Sequence, residues 1–344
     1  MRIEPPRYRH ALARLLAAGG VDPVQAESLG DNLAWCDMAG RRNHGIERLP
    51  ILLRRAATGA IKCPCEPQIS RLAPAVERID ADAGFGHHAG KLGMDRACAL
   101  AAESGVGVAG VHNSNFFGAG AYYVQLAAKC GMIGMAVSNS FAKVAAHGGT
   151  APVLGTNPLS LSAPRSGGRS ILLDMSTAAM AGSSVREAIA KGELLEPGLA
   201  IDASGAPIRD PVLAASGTLL PVAGPKGFGL AILVELLSGV LTGAGVASEV
   251  ASMYASLDRP GNNGHLFLAI NIARWMPLAQ FVQRVEALAA GLTASTESGD
   301  VRMPGDERWD EYARSEREGI LIEDHTLVRI EELALQLDVA LDWR

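Results

Sequence analysis

The sequence predicts a mixed α/β protein with helical terminal segments and a sheet-rich centre. Three observations carry this. Apolar residues recur at helical spacing up to about residue 58 and again beyond about residue 275. From about Ala75 onward, short alternating or wholly apolar runs bounded by glycine read as strands. The one glycine pattern that matches a dinucleotide fingerprint stands in the wrong order, with a helix before it and a strand after it.

Taken in order, Leu12, Leu15 and Leu16 mark the first helix, stopped at Gly19-Gly20. Asp22-Pro23-Val24-Gln25 reads as a capping box with proline at the first helical position, opening a helix that runs to about Gly40. A third helix covers roughly Glu47 to Thr58. The segment between, DMAGRRNHGIERLP, is too rich in His, Arg and Asn for a mere connection. AVERIDA alternates like a strand, DAGFGHHAG reads as a glycine-rich turn, and LGMDRACALAAES as a helix. GVGVAGVHN and MIGMAVSNS are strands separated by the helical AYYVQLAAKC, and LSLSAP and ILLDM are further strands. MAGSSVREAIAKG is a helix. KGFGLAILVELLSGVL is a strongly apolar helix, expected to be central and buried despite Glu235. HLFLAINI is a buried strand. LAQFVQRVEALAAGL, DERWDEYARSEREG and TLVRIEELALQLDV are later helices, the last expected to fold back on the N-terminal ones. The expected organisation is an N-terminal helical part, 1–74, packing with C-terminal helices, 275–344, around a central region, 75–274.

Composition narrows the function classes. Of 344 residues, 48% are hydrophobic and 19% charged, enough apolar material for a sizeable core. A net charge of -5 argues against general nucleic-acid binding, which needs a basic face. The start, MRIEPPRYRHALARLL, is charged and proline-bearing, unlike a secretory signal. No apolar stretch reaches the roughly 20 residues a membrane span needs, so no membrane partner is expected. Cys36 and Cys98 sit in helical patterns. Cys63 and Cys65 flank a proline, and a CxC pair alone supplies too few ligands for zinc, so no metal site is expected. Reduced thiols suit a cytoplasmic protein.

Gly105-Val-Gly107-Val-Ala-Gly110 matches GxGxxG, but the acidic residue wanted about 20 positions on is missing. These glycines therefore read as close packing at a strand start, and the fold is expected to lack the Rossmann βαβ unit. The missing acid belongs to a wider pattern. Between Glu103 and Asp174, about 70 positions hold no Asp or Glu, in a chain with 36 of them. The same window carries Lys129, Lys143, His112, His147 and small polar loops: HNSNFFGAG, SNS, HGGT and GTNP. Backbone N–H groups in such loops, with no carboxylate nearby, suit anions such as pyrophosphate or a substrate carboxylate.

The blocks NHGIERLP, GVHNSNFFGAGAYYVQLAAKCGMIGMAVSNS, LGTNPLSLSAP, LLDMSTAAMAG, IDASGAPIRDP, GPKGFGLAILVELLSGVL, GHLFLAI and MPGDERWDEYARSEREGI occur in order. Together they resemble the malate/L-lactate dehydrogenase family, which includes ureidoglycolate and sulfolactate dehydrogenases, diketogulonate reductase and piperideine-2-carboxylate reductase. The resemblance covers about Pro5 to Asp338. It implies a non-Rossmann nucleotide-binding fold, a central region that binds nucleotide and substrate, and a homodimer with active sites near the subunit interface. In that likeness His44 would donate a proton to the substrate oxygen or nitrogen, a role suited to a group titrating near neutrality. Arg48 would clamp the substrate carboxylate, a planar two-pronged task. Asp174, Met175 and Ser176 resemble the nucleotide-contacting strand end, and Lys226-Gly227 a lysine-glycine pair at a helix start. Gly305, Asp306 and Glu307 resemble a Pro-Gly-Glu turn at another helix start. Ser140, Thr156 and Asn157 are weaker carry-overs. Without a ligand, His44 could simply cap a helix, and Asp306 and Glu307 could simply face a helix dipole.

Two departures matter. Asn43 stands where the family often has serine, and Phe116 stands where many members have a second histidine. Phenylalanine transfers no proton. Either His44 is the sole donor, or His112 moves in, or the substrate needs less help. A protonated imine already carries its proton. The expected function is therefore NAD(P)-dependent interconversion of a small 2-oxo acid and its 2-hydroxy acid. Reduction of a cyclic imino acid is the alternative, and a nucleotide-binding pseudoenzyme a further one. NADH is slightly favoured over NADPH if Asp306 or Glu307 faces the adenosine ribose. If Arg302 or Arg308 turns inward, NADPH is favoured.

Overall fold

The computed structural model describes residues 1–295 and 301–343. Eleven α-helices occur among them: α1 (Pro5–Ala18), α2 (Pro23–Met38), α3 (Leu49–Ala57), α4 (Gly86–Ser104), α5 (Gly120–Lys129), α6 (Gly182–Lys191), α7 (Pro211–Ser216), α8 (Pro225–Glu235), α9 (Leu278–Thr293), α10 (Asp306–Glu318) and α11 (Asp324–Gln336). The strands are β1 (Arg2–Ile3), β2 (Gln68–Ala73), β3 (Val76–Asp80), β4 (Val106–Ser114), β5 (Met132–Ser138), β6 (Val144–Ala145), β7 (Pro152–Leu154), β8 (Leu159–Pro164), β9 (Ser170–Met175), β10 (Ala200–Ile201), β11 (Thr218–Leu219), β12 (Asn263–Asn271) and β13 (Ile320–Leu321).

Seven strands form the main sheet in the order β2-β3-β4-β12-β5-β8-β9. The wholly apolar HLFLAINI run becomes β12 at its middle, antiparallel to both β4 and β5, which is why it shows no alternation. Strand β2, from within 1–74, pairs with β3 in this sheet. Only β3 and β4 run parallel in it, joined through α4. One β–α–β connection therefore exists, although the Rossmann arrangement is absent as expected. At its turn Asn115 Nδ2 donates to the carbonyls of Ala83 (2.8 Å) and Gly84 (3.0 Å). The remaining ladder is antiparallel, unlike a doubly wound Rossmann sheet. Gly107 is a packing glycine as expected: a Cβ there would lie 2.1 Å from the Ala97 carbonyl.

A second sheet, β10-β11-β6-β7, forms with α6 and α7 a smaller lobe around Val144, Leu154, Val185, Ala200 and Leu219. The chain ends meet: β1 pairs with β13, and Ile330 and Ala334 of α11 share one core with Leu12, Leu15 and Leu16 of α1. The fold-back of the C-terminal helix is thus present.

Three readings of the sequence need correction. The Gly86-His87-His88-Ala89-Gly90 half of the expected turn is the first part of α4, because small residues let it press against neighbouring chain. The capping box before α2 is half made. Asp22 caps Val24 and Gln25 N–H, but its own N–H goes to Cys63 Sγ (3.2 Å) rather than to the Gln25 side chain. The apolar helix α8 is not buried all round. Val234 packs with Val137 and Leu266, while Ile232, Leu233, Leu236, Val240 and Leu241 are 37–67% exposed along α8 and the π-turn that extends it. Glu235 is the buried polar exception, accepting from Asn157 Nδ2 (2.7 Å) and Ala247 N–H (2.7 Å). Among the described residues no helix is long and apolar enough to cross a membrane.

Candidate active site

The segment after α2 folds as two short 3-10 turns, Arg42–His44 and Ile46–Arg48, which place His44 and Arg48 on one wall of a cleft of about 590 Å³. Phe116 to Gly120, after β4, form an adjoining wall. Ser140, Thr156, Asp174, Met175 and Ser176 come from the ends of β5, β8 and β9, and Met253 and Tyr254 close the cleft. Sequence positions far apart meet here because antiparallel strands bring their ends to one edge.

His44 Nδ1 lies 3.0 Å from Asn43 Oδ1, so the amide oxygen accepts from Nδ1–H and Nε2 is left as the proton-accepting nitrogen. Its ring lies beside that of Phe116, with centroids 6.0 Å apart and planes 29° apart. Burial, then the charges of Arg41 and Arg48, push its pKa down to about 3. His44 is therefore neutral at pH 7 in the empty cleft. Arg48 is 7% exposed; it donates from Nε to the Asn43 carbonyl (2.6 Å) and from Nη1 to Tyr254 Oη (3.0 Å). Asn43, read from sequence only as a departure, thus orients both side chains.

Asp174 is the junction. Its carboxylate accepts from Arg41 Nη2 (2.5 Å) and Ser160 Oγ (2.7 Å). Burial pushes its pKa up, but Arg41, Arg308 and the Ser160 hydroxyl outweigh this and hold it below the usual range. Asp174 also lines a second cavity of about 1030 Å³, whose walls include Arg42, Gly305, Glu307, Arg302 and Arg308. Ser140 Oγ accepts from Thr156 N–H (2.9 Å), and Ser176 Oγ donates to the Thr156 carbonyl (3.0 Å), so these three hold one another at the cleft edge.

Five of the positions picked from sequence line neither space. His112 lies on β4 opposite Asp80 of β3, on the sheet face away from α4, where Val111 and Ala109 point. Asn157 is fully buried, donating to Glu235 and the Ala231 carbonyl. Lys226 is exposed in the first turn of α8, and Gly227 is packed beneath it. Asp306 is held by Arg165 Nη1 (2.8 Å) and Met303 N–H (2.9 Å), which matches the reading that needs no ligand. The sequence reading missed Arg41, for which only the basic run gave a signal. It also missed His87, a fully buried imidazole 5.8 Å from the Phe116 ring, whose two nitrogens find no partner among the described residues. Lys143 stood out in the acid-free window; it lines the cleft and donates to the Ala215 and Gly217 carbonyls.

The Arg308 guanidinium makes no hydrogen bond or ion pair among the described residues, while the acids around it do: Asp310 with Arg302 (2.9 Å), Glu311 with Arg42 (3.4 Å) and Asp174 with Arg41. Burial and the nearby Arg41 lower its pKa. An anion at Arg308 would relieve both effects, so this donor set fits the phosphates of a dinucleotide.

The family model for malate/L-lactate dehydrogenases matches residues 3–331. The chain is 33% identical over 343 residues to a malate/(S)-sulfolactate dehydrogenase of Methanothermus fervidus, covering 100% of both. It is 32% identical over 327 residues to an NAD(+) ureidoglycolate dehydrogenase of Escherichia coli O157:H7, covering 94% of this chain and 93% of that one. Among solved structures, a delta1-piperideine-2-carboxylate reductase from Pseudomonas syringae superposes with a TM-score of 0.88 at 33% identity, covering 97% of this chain and 100% of that one.

Proposed function

The chain belongs to the malate/L-lactate dehydrogenase family, and on that premise we propose that it interconverts a small 2-oxo acid carrying an apolar side chain with its 2-hydroxy acid. The observation that carries this reading is that one cleft brings together His44 and Arg48 with Phe116, Met253 and Tyr254, the last bonded to Arg48. When bound, the nicotinamide supplies or takes up the hydride. The protein supplies the rest. Arg48 holds the substrate carboxylate through its two-pronged guanidinium. His44, neutral in the empty cleft, accepts the 2-hydroxyl proton at Nε2 in oxidation. In reduction it must first gain that proton, and a carboxylate seated on Arg48 offsets the cationic charge that keeps it neutral. The apolar walls exclude water from the developing charge.

A second reading, reduction of a cyclic imino acid, draws support from two features. His44 is unprotonated at neutral pH before a carboxylate arrives, and Phe116 offers no proton. A protonated imine needs neither.

The cofactor is a nicotinamide dinucleotide with Arg308 as its anion partner. The lean to NADH rests on Glu307 alone, which lines the second cavity and pairs with Arg302 (3.6 Å); Arg308, turned into the same cavity, meets the condition set for NADPH and weighs against it. Asp306, tied to Arg165, no longer supports that lean. A kcat/KM ratio favouring NADPH would assign Arg308 to the 2′-phosphate instead. The apolar strip of α8 supports a homodimer, because its five exposed large side chains form a face that a second copy would cover. Sedimentation of wild type and of Leu236→Glu should show a dimer and a monomer. Five free thiols accord with a cytoplasmic setting. Purified protein assayed with NADH and NADPH against 2-oxo acids and cyclic imino acids tests the whole reading. It fails if no member of either substrate class is turned over.

A further inference from the structure

We propose that Asp37, at the end of α2, is the positioning residue that sets His44 and Arg48 in place; the inference rests on the assignment of those two residues to the reaction. Asp37 is 2% exposed and lies outside the cleft, so it does not touch substrate. Its Oδ2 accepts from the Tyr8 hydroxyl of α1 (2.5 Å) and from the backbone N–H of Ile46 (2.7 Å). Ile46 stands midway between His44 and Arg48.

The two turns that carry those residues are short. Their internal backbone bonds are His44 N–H to the Arg41 carbonyl (2.8 Å), Gly45 to Arg42 (3.0 Å) and Arg48 to Gly45 (2.9 Å). Such turns hold poorly alone. Between them Gly45 lies flat on the Asp37 carboxylate: a Cβ there would sit 2.0 Å from Oδ1 and 2.1 Å from Cγ. Any side chain at 45 would lift the segment off its anchor. Both donors converge on one oxygen, an arrangement that suits an acceptor-only carboxylate.

This anchor weakens the fold. Burial pushes Asp37 up to about 7; the Tyr8 hydroxyl, the Ile46 N–H and the Arg42 charge pull it down, and Glu47 adds to the rise. Cys36 on the same helix, its thiol forced up by burial, stays neutral. A carboxyl whose folded pKa is raised binds its proton more readily folded than unfolded. Stability therefore falls as pH rises from the unfolded value, about 4, to about 7. A group that weakens the fold at neutral pH while fixing the turns that carry His44 and Arg48 acts for the site rather than for the core.

The test compares wild type, Asp37→Asn and Tyr8→Phe in the full chain. Hydrogen exchange of peptides spanning 41–49, which needs no substrate, should rise in Asp37→Asn while the rest of the chain is unchanged. Thermal midpoints at pH 8 should hold or rise, and NADH binding should stay within about twofold. Turnover of a 2-oxo acid should fall about tenfold to a hundredfold, the scale of a small misplacement. The wild-type profile of kcat/KM should fall below pH about 7. That limb should vanish in Asp37→Asn and move to higher pH in Tyr8→Phe, which loses a bond favouring the ionised form. Unchanged exchange at 41–49, or an activity loss that tracks a lower thermal midpoint with the limb in place, would overturn the proposal. Changed exchange in a protein that turns over no substrate would leave the anchor standing and count against the proposed function alone.

Discussion

The two spaces that meet at Asp174 differ in how their charges are settled. The larger cavity carries the pairs Arg42 with Glu311 and Arg302 with Asp310, and it shares Asp174 with the cleft, where its partner Arg41 stands. Among the described residues Arg308 and the exposed Arg317 stand outside those pairs. In the cleft Arg48 and the neutral His44 both rest on neutral oxygens. Arg48 rests on a carbonyl and a phenol, with the Glu47 carboxylate 3.9 Å away, and His44 rests on an amide. Matched charges make a wall that holds a ligand in one place. An arginine and a neutral imidazole resting on neutral oxygens, among apolar rings, make a site whose protonation changes when a carboxylate arrives. On the proposed reading, the chemistry falls to the cleft and the holding of the cofactor to the cavity.

Substitutions can break that division. The largest effect is expected at His44. His44→Ala should lower reduction of a 2-oxo acid by about 10²–10⁴-fold, the range for loss of a general acid, measured as kcat/KM at saturating NADH. Next is Arg48→Lys, which keeps the charge but loses the fork. It should lower kcat/KM for a carboxylate substrate by about 1.5–3 kcal/mol and raise KM; unchanged kinetics would show that Arg48 is not the clamp. Arg308→Gln should act on the cofactor alone. Its KM should rise by about fivefold, one ordinary hydrogen bond, with the 2-oxo acid KM unchanged. A change in the substrate KM instead would erase the division between the two spaces. The smallest effect is expected from Phe116→His, which sharpens the comparison by adding a polar group to the cleft. The ratio of kcat/KM for small polar 2-oxo acids over apolar ones should rise by about 1 kcal/mol or less.

Much of this was legible before the structure. Leu12, Leu15 and Leu16 gave α1, the Asp22-Pro23 start gave α2, and HLFLAINI gave a buried strand, because periodicity and capping are local. His44 and Arg48 were singled out by the resemblance that the co-linear blocks carry together, since the short NHGIERLP block alone fits a helix cap as well. What was hidden is what depends on the far side of a contact. The apolar run of α8 carries no sign of which face lies on the sheet, so its exposed strip read as core. Asp306 looked like a cofactor contact because Arg165, 141 positions away, cannot be placed beside it from sequence. The sequence singled out His112 and passed over His87. Only the strand's two faces put the first behind the sheet, and only the helical start of α4 puts the second behind Phe116. Asp37 drew no reading from the sequence, since a carboxylate beneath a turn is a tertiary fact.

The central claim is that His44 moves the proton within a cleft shaped for apolar substrates. The most direct measurement is kcat/KM of wild type and His44→Ala for an apolar 2-oxo acid, oxaloacetate and a cyclic imino acid, side by side. The account predicts that wild type prefers an apolar substrate to oxaloacetate. It also predicts that His44→Ala loses at least about 100-fold on the 2-oxo acid and distinctly less on the imine, which brings its own proton. Full 2-oxo acid activity in His44→Ala, or a wild type that prefers oxaloacetate to every apolar substrate, would contradict it.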